Sequence, residues 1–297
     1  MKQSTFLQTV IFSLILFQFC SLHAQDHVYD LDESYPIDPN GLLTLYSNDA
    51  EVTIKGSDVE EVHLVVHREV VYKKWPKRKD DRDFFVEVEL DKDEVIIRER
   101  QESSGSGIYW TNEKNYTITL EVPNGMSLKL YGDDDDYLIE DIQGTIVLDA
   151  EDGDAELKHC TGDKFDLRMD DGTVYLSHGT GKLFIRGEDG DFMIEKGSFE
   201  QVDARMDDGT IYLSSEFYDE GSYELQTEDG EIDLEMLSGG GDIIVRMSDG
   251  DVRWGKGFDV KEDSDHKVKL YHPAGSSRIY IDTDDGDISI KRGIRAN

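Results

Sequence analysis

Along most of the chain apolar and polar side chains alternate with a period of two, the pattern of strands that bury one face. Phe165, Leu167 and Met169 share one phase, and Val174 and Leu176 resume it after a break at Asp170-Asp171-Gly172. The same phase returns in Val202, Ala204, Met206, Ile211 and Leu213, then in Tyr223, Leu225, Thr227, Ile232 and Leu234. Ile279, Ile281, Thr283, Ile288 and Ile290 carry it to the end. Each unit therefore reads strand, acidic turn, strand, loop, with Asp166, Arg168, Asp170, Thr173, Tyr175 and Ser177 facing outward in the first of them.

The breaks themselves repeat. Gly153, Gly172, Gly190, Gly209, Gly230, Gly250 and Gly286 each follow an aspartate, at spacings of 19, 18, 19, 21, 20 and 36 residues. The last gap fits a skipped unit or an insertion around Lys256 to His272. Two degenerate copies precede the series, with Asp135 and Ala50 in the glycine place. Tight reversals often need positive φ, which glycine tolerates, while aspartate bonds its own backbone in the turn; Asp135 and Ala50 are then expected to mark distorted turns. One unit buries too little apolar surface to fold alone, so units must stack. The pattern predicts an all-β fold, a β-solenoid (parallel β-helix-like) array of ~19-residue Asp-Gly units. An antiparallel hairpin meander, pairing Met169 with Val174 and Leu167 with Leu176, satisfies the same periodicity.

Residues 26–122 read differently, as an N-terminal β module of longer strands: 63–67, 84–90, 95–97 and 116–122, separated by polar loops such as Ser103-Ser104-Gly105-Ser106-Gly107. Pro123-Asn124-Gly125 punctuates the passage to the repeat array, 123–297. The module holds 12 basic and 23 acidic residues, the array 18 and 43.

Charge narrows the function classes. With 31 Lys+Arg against 66 Asp+Glu the formal net charge is −35, which opposes the phosphate neutralisation on which nucleic-acid binding rests. Val, Ile, Leu, Tyr and Phe recur throughout, as in a folded chain rather than a disordered acidic one. Lys2, the apolar stretch Val10 to Phe19 and Leu22-His23-Ala24-Gln25 have the layout of a secretory signal peptide over residues 1–25. Cys20 raises lipid anchoring as an alternative, although Phe17-Gln18-Phe19 lacks the small residues that such processing demands. Cleavage leaves only Cys160 of the 2 cysteines, so packing rather than an intramolecular disulfide must hold the fold. No later segment is long and apolar enough to span a bilayer as a helix. The chain is thus expected to be exported, to the periplasm, the outer-membrane surface or the medium.

The segment Tyr116-Thr117-Ile118-Thr119-Leu120-Glu121-Val122-Pro123-Asn124-Gly125, followed by Leu128-Lys129-Leu130, Ile142-Gln143-Gly144 and recurrent Asp-Gly-Asp units, resembles the adhesin domain family of bacterial secreted and cell-envelope β-strand repeat proteins, a domain of unknown function. The resemblance covers most of the chain after residue 25. It implies a β-solenoid-like body and a surface or periplasmic location, and it supplies no catalytic residues. The end of the leader also resembles exported proteins of Bacteroidota. The turns here are more acidic than the family's usual Asn-Gly or Ser-Gly.

Enzyme motifs are absent: there is no Gly-x-Ser-x-Gly elbow, phosphate-binding glycine loop or His-Glu-x-x-His. His63 and His67 lie ~13 Å apart if they share a strand, too far to share a metal. His159-Cys160 is an adjacent pair, and adjacent strand residues point to opposite faces. Arg168 and Arg205 face Tyr175 and Tyr212 if the units are hairpins. Two features stand as candidate sites. The basic segment Lys73, Lys74, Trp75, Lys77, Arg78 and Lys79, continued by Arg82, fits a contact loop for an anionic partner with Trp75 as anchor, or else a solvated hairpin tip balanced by Asp80, Asp81 and Asp83. The corner aspartates Asp152, Asp171, Asp189, Asp208 and Asp229 would form a column able to take weakly bound calcium; otherwise salt screening and turn hydrogen bonds suffice. No other cofactor is expected. The pattern favours a non-enzymatic, adhesin-like interaction scaffold whose partner is an envelope or surface polymer or protein. The alternatives are a carbohydrate-active β-helix enzyme, marked by a cleft of converging carboxylates and aromatics, and a polymer-forming structural protein, marked by head-to-tail assembly through terminal coils.

Overall fold

A computed structural model describes residues 28–73, 84–101 and 110–293. The leader (1–25) and the basic segment from Lys74 to Lys79 lie outside the described residues. The described chain is all-β, without a helix, and its strands hydrogen-bond into one 20-stranded sheet wrapped around a continuous apolar core.

Every position assigned inward from the periodicity is buried, from Phe165 and Leu167 to Ile288 and Ile290. The strands that carry them are β8 (Ser127–Asp134), β10 (Ile146–Asp152), β12 (Thr161–Met169) and β14 (Thr180–Ser238) on one side of the core. Beyond the acidic corners lie β9 (Asp136–Glu140), β11 (Asp154–Lys158) and β13 (Asp171–Ser177). Each strand pairs in parallel with its equivalent 18 or 19 residues away, as in Leu148 with Leu167, Tyr175 with Met193 and Gly172 with Gly190. The chain therefore coils, and the hairpin pairing of Met169 with Val174 does not form. β14 is a single run of extended backbone that bends at its corners. Leu130, Leu148, Leu167 and Ile185 stack on successive coils, each at most 1% exposed. Burial of such a side chain stabilises by ~1.5–3 kcal/mol.

The corner glycines owe their place to more than dihedral freedom. Gly172 has φ 121°, but a Cβ there would also fall on the carbonyl oxygen of Gly153 in the preceding coil. Gly230 lacks the positive φ, yet its Cβ would fall on the carbonyl oxygen of Gly209. What the corners share is backbone stacked on backbone. The residue after the glycine secures the stack: Asp136 accepts from the Asp154 amide (3.0 Å), Asp154 from Thr173 (2.9 Å) and Asp191 from Thr210 (3.0 Å). These side chains satisfy amides that the sheet leaves free at the bend.

At the degenerate corners the outcome differs from a merely distorted turn. Asp135 turns its carboxylate inward, fully buried, where it accepts from the Ala50 amide (2.6 Å), Ser47 Oγ (2.9 Å) and Tyr137 Oη (3.1 Å). Burial raises its pKa despite these donors.

The sheet does not break at residue 122. β2 (Leu42–Tyr46) pairs in parallel with β8, and β3 (Glu51–Ser57) with β9, so a first coil precedes the array. β6 (Glu94–Gln101) and β7 (Trp110–Pro123) pair in parallel with β2 and β3 as the terminal coil, and antiparallel strands close this end: β4 (Glu61–Lys73) lies between β1 (Val28–Pro36) and β7, while β5 (Phe84–Asp91) covers β6. At the other end the 36-residue gap is an insertion. After β15 (Gly241–Asp249) and β16 (Val252–Trp254), the hairpin of β17 (Asp259–Ser264) and β18 (Lys267–His272) covers β15 antiparallel. The chain then returns, and β19 (Ser277–Asp285) and β20 (Ile288–Arg292) slot between β14 and the coil of β15 and β16. The last unit in sequence is the penultimate one in space.

Candidate functional site

The unit between Gly209 and Gly230 is two residues longer than the 19-residue unit before it. The extra length falls after the inward Leu213, around Ser214 to Gly221, where the coil turns back toward Tyr223. Tyr223 is almost wholly buried, and its hydroxyl donates to the Phe199 carbonyl (2.7 Å) and accepts from the Tyr218 amide (2.8 Å). Its ring lies 4.4 Å from that of Phe217. Ser215, also buried, donates to the Glu216 carbonyl at 3.0 Å. The enlarged corner is thus pinned from inside.

Outside it lies a cleft of about 520 Å³, lined among others by His178, Glu195, Lys196, Tyr212, Ser214 and Glu235. The end of β13 and three passes of β14 supply these side chains, so residues distant in sequence meet because equivalent positions stack. Tyr175 donates to Glu195 (2.8 Å) and Tyr212 to Glu235 (2.7 Å). Desolvation, with the bond to Glu235, pushes the Tyr212 hydroxyl up to about 12, and the bond to Glu195 raises that of Tyr175. Both phenols stay protonated donors. Lys196 and His178 occupy left-handed backbone (φ 52° and 57°), which turns them outward at the rim. His159, one coil earlier, packs its ring 5.1 Å from that of His178.

The corner aspartates lie on successive coils. Asp171 pairs in register with Asp189, and Asp152 with Asp134, while the stacked glycines place Asp208 and Asp229 on the coils that follow. Carboxyls meet there: the hydrogen bond to Asp133 raises Glu151, and desolvation with the bond to Asp134 raises Asp152. Among the described residues no group of three or more His, Cys, Asp or Glu is arranged to hold a metal ion.

Other sequence candidates separate. His63 and His67 lie on the outer face of β4 and bond Asp32 (2.8 Å) and Asp30 (2.7 Å). Cys160 is buried, its thiol pushed up to about 11 by desolvation, while His159 faces outward, so the two are not a nucleophile and base. Arg168 pairs with Asp170 (3.2 Å) and Arg205 with Asp203 (3.1 Å) rather than with tyrosines, because a coil, unlike a hairpin, sends Tyr175 and Tyr212 to the other side of the corner. Of the basic segment only Lys73 is described, its backbone opposite Trp110 at the end of β4.

Sequence reasoning missed the cleft, although the 21-residue spacing was its signal. Among the described residues no helix is long and apolar enough to cross a membrane.

No match is found among the curated proteins. Among solved structures the chain is similar to a putative adhesin from Bacteroides fragilis, with 13% identity, TM-score 0.51, and coverage of 89% of this chain and 97% of that one. A putative adhesin from Parabacteroides distasonis matches at 11% identity and TM-score 0.47, covering 89% and 98%. A putative lipid binding protein from the same species matches at 11% and 0.29, covering 89% and 96%. The first likeness speaks to fold alone. Residues 42–291 match the model of the Toastrack DUF4097 family, and the chain belongs to that family.

Proposed function

We propose that the chain is an exported, non-enzymatic interaction scaffold of the bacterial envelope, a β-solenoid of ~19-residue coils that presents side chains on its outer faces. The observation that carries this reading is the cleft at the widened corner: a pinned backbone, phenols that hold Glu195 and Glu235 as acceptors, and a buried, inert Cys160. Family membership and neighbours described as putative adhesins are in keeping with it. The leader-like residues 1–25 supply the export signal, and the segment from Lys73 to Lys79 a contact for an anionic envelope polymer. The antiparallel strands β4 and β5 at one end and β18 at the other weigh against head-to-tail polymers, since they cover the edges of β7, β6 and β15 that such growth would use. The experiment is retention. The chain without residues 1–25 should sediment with envelope fractions and be released by salt in step with its basic segment; a chain that stays wholly in the supernatant refutes the reading.

A carbohydrate-cleaving enzyme draws on the same converging carboxylates and Tyr212. It requires one carboxyl to deliver a proton and a second to act as base or nucleophile at the scissile bond, whereas each of these carboxyls is already engaged by a phenol. Release of reducing ends from envelope polysaccharide, lost in Glu195→Gln or Glu235→Gln, would support this second reading against the first.

A further inference from the structure

We propose that the cleft at the widened corner binds a neutral saccharide. The inference deepens the interaction reading above by giving that site a ligand class. The cleft belongs to the fold's construction: it sits where the repeat gains two residues, and the buried Tyr223 and Ser215 hydroxyls fix the added backbone. Its volume of about 520 Å³ falls within the ~300–1,000 Å³ of small-ligand sites.

The lining selects the chemistry. A sugar offers hydroxyls that both donate and accept, together with an apolar C–H face. Glu195 and Glu235 each accept one phenol on Oε2, and a carboxylate has further lone pairs for ligand hydroxyls. Because these carboxylates are already oriented by Tyr175 and Tyr212, little ordering cost remains to binding. Lys196, Ser198 and Ser214 line the same space as donors, and the Tyr212 ring and Leu237 supply apolar surface. Glu195, Glu216 and Glu235 line the cleft with Lys196, and Lys291 stands 5.8 Å from the Tyr212 ring, so acidic groups outnumber basic ones there in a chain of net charge −35. That field opposes anionic ligands such as uronates, phosphates and nucleotides. Two coils before Glu195 its register equivalent is Lys158, paired with Glu156 at 2.8 Å.

The test is ligand-observed saturation-transfer NMR on the chain without residues 1–25, with cellobiose, maltose and N,N′-diacetylchitobiose as neutral probes and digalacturonate as the anionic one. At least one neutral disaccharide should receive saturation, and digalacturonate none. By titration, Glu235→Gln and Lys196→Ala should each weaken that binding about tenfold, roughly 1.4 kcal/mol, with unchanged circular dichroism. Glu156→Gln, two coils before Glu195, should leave it unaltered. No transfer to any neutral probe, stronger binding of digalacturonate, or affinity indifferent to the cleft variants overturns the proposal. Retention on envelopes surviving such a failure would show that the interaction reading stands while its ligand class falls.

Discussion

Substituting Gly172 by alanine isolates the force that spaces the coils. Two costs meet there. The backbone sits at φ 121°, a region that costs a residue with Cβ ~1–3 kcal/mol. The new methyl also falls on the Gly153 carbonyl oxygen, and forcing extra atoms into a packed site typically costs ~1–3 kcal/mol more. The sum, about 2–6 kcal/mol, is a large share of an ordinary net stability of ~5–15 kcal/mol. Gly230→Ala carries the second cost without the first, because its backbone is not at positive φ; about 1–3 kcal/mol is expected. Gly255→Ala carries neither, its nearest neighbours standing 3.8 Å from the added Cβ, and should be neutral or stabilising by up to ~1 kcal/mol. Urea denaturation of the three variants, compared at equal m-value, reads the series directly. A neutral Gly230→Ala beside a costly Gly172→Ala would refute close approach as the shared reason for the corner glycines and leave φ alone.

Two further outcomes follow from burial. Leu167→Asp and Ile211→Asp place an unpaired charge in the core and should abolish the cooperative transition, whereas Tyr175→Ser, on the outer face, should lower stability by only ~1 kcal/mol; equal effects in chemical denaturation would contradict the assigned faces. Glu99 accepts from Tyr116 Oη at 2.8 Å and is raised by desolvation to about 7. A carboxyl raised in the folded state contributes stability that is whole below about 4.5 and lost as pH climbs through 7. After discount for partial solvent access that loss is about 2 kcal/mol. Thermal melts of Glu99→Gln should show a shallower decline between pH 5 and 8 than the parent, and identical slopes would count against it.

What could be read from the sequence was local. A period of two depends on the strand alone, so every inward position was assigned correctly, and the Asp-Gly register aligned even Ala50 with Asp135. Pairing was not readable, because a coil and a hairpin bury the same side chains; only tertiary structure decides whether Tyr175 lies beside Arg168 or Met193. The interleaving of β19 between β14 and β15 is likewise a long-range choice. The inward turn of Asp135 depends on room left by Gly132, whose Cβ would meet the Asp135 carboxylate and the Tyr137 hydroxyl. The cleft left a trace in the longer spacing, but only Tyr223 and Phe217 in place show that the extra residues open a groove rather than a loop.

The central claim is that coils stack in parallel and so gather Glu195, Tyr212 and Glu235 at one corner. A double variant, Tyr175→Cys with Met193→Cys, tests it in a Cys160→Ser background. The two positions are register partners on adjacent parallel strands, within the ~4.4–6.8 Å between Cα atoms that a disulfide requires. Oxidation should join them rapidly and nearly completely, read as a mass loss of two hydrogens and protection from alkylation, while Arg168→Cys with Tyr175→Cys should stay reduced. Rapid bridging of 168 to 175, with 175 and 193 unjoined, would contradict the coil and dissolve the cleft with it.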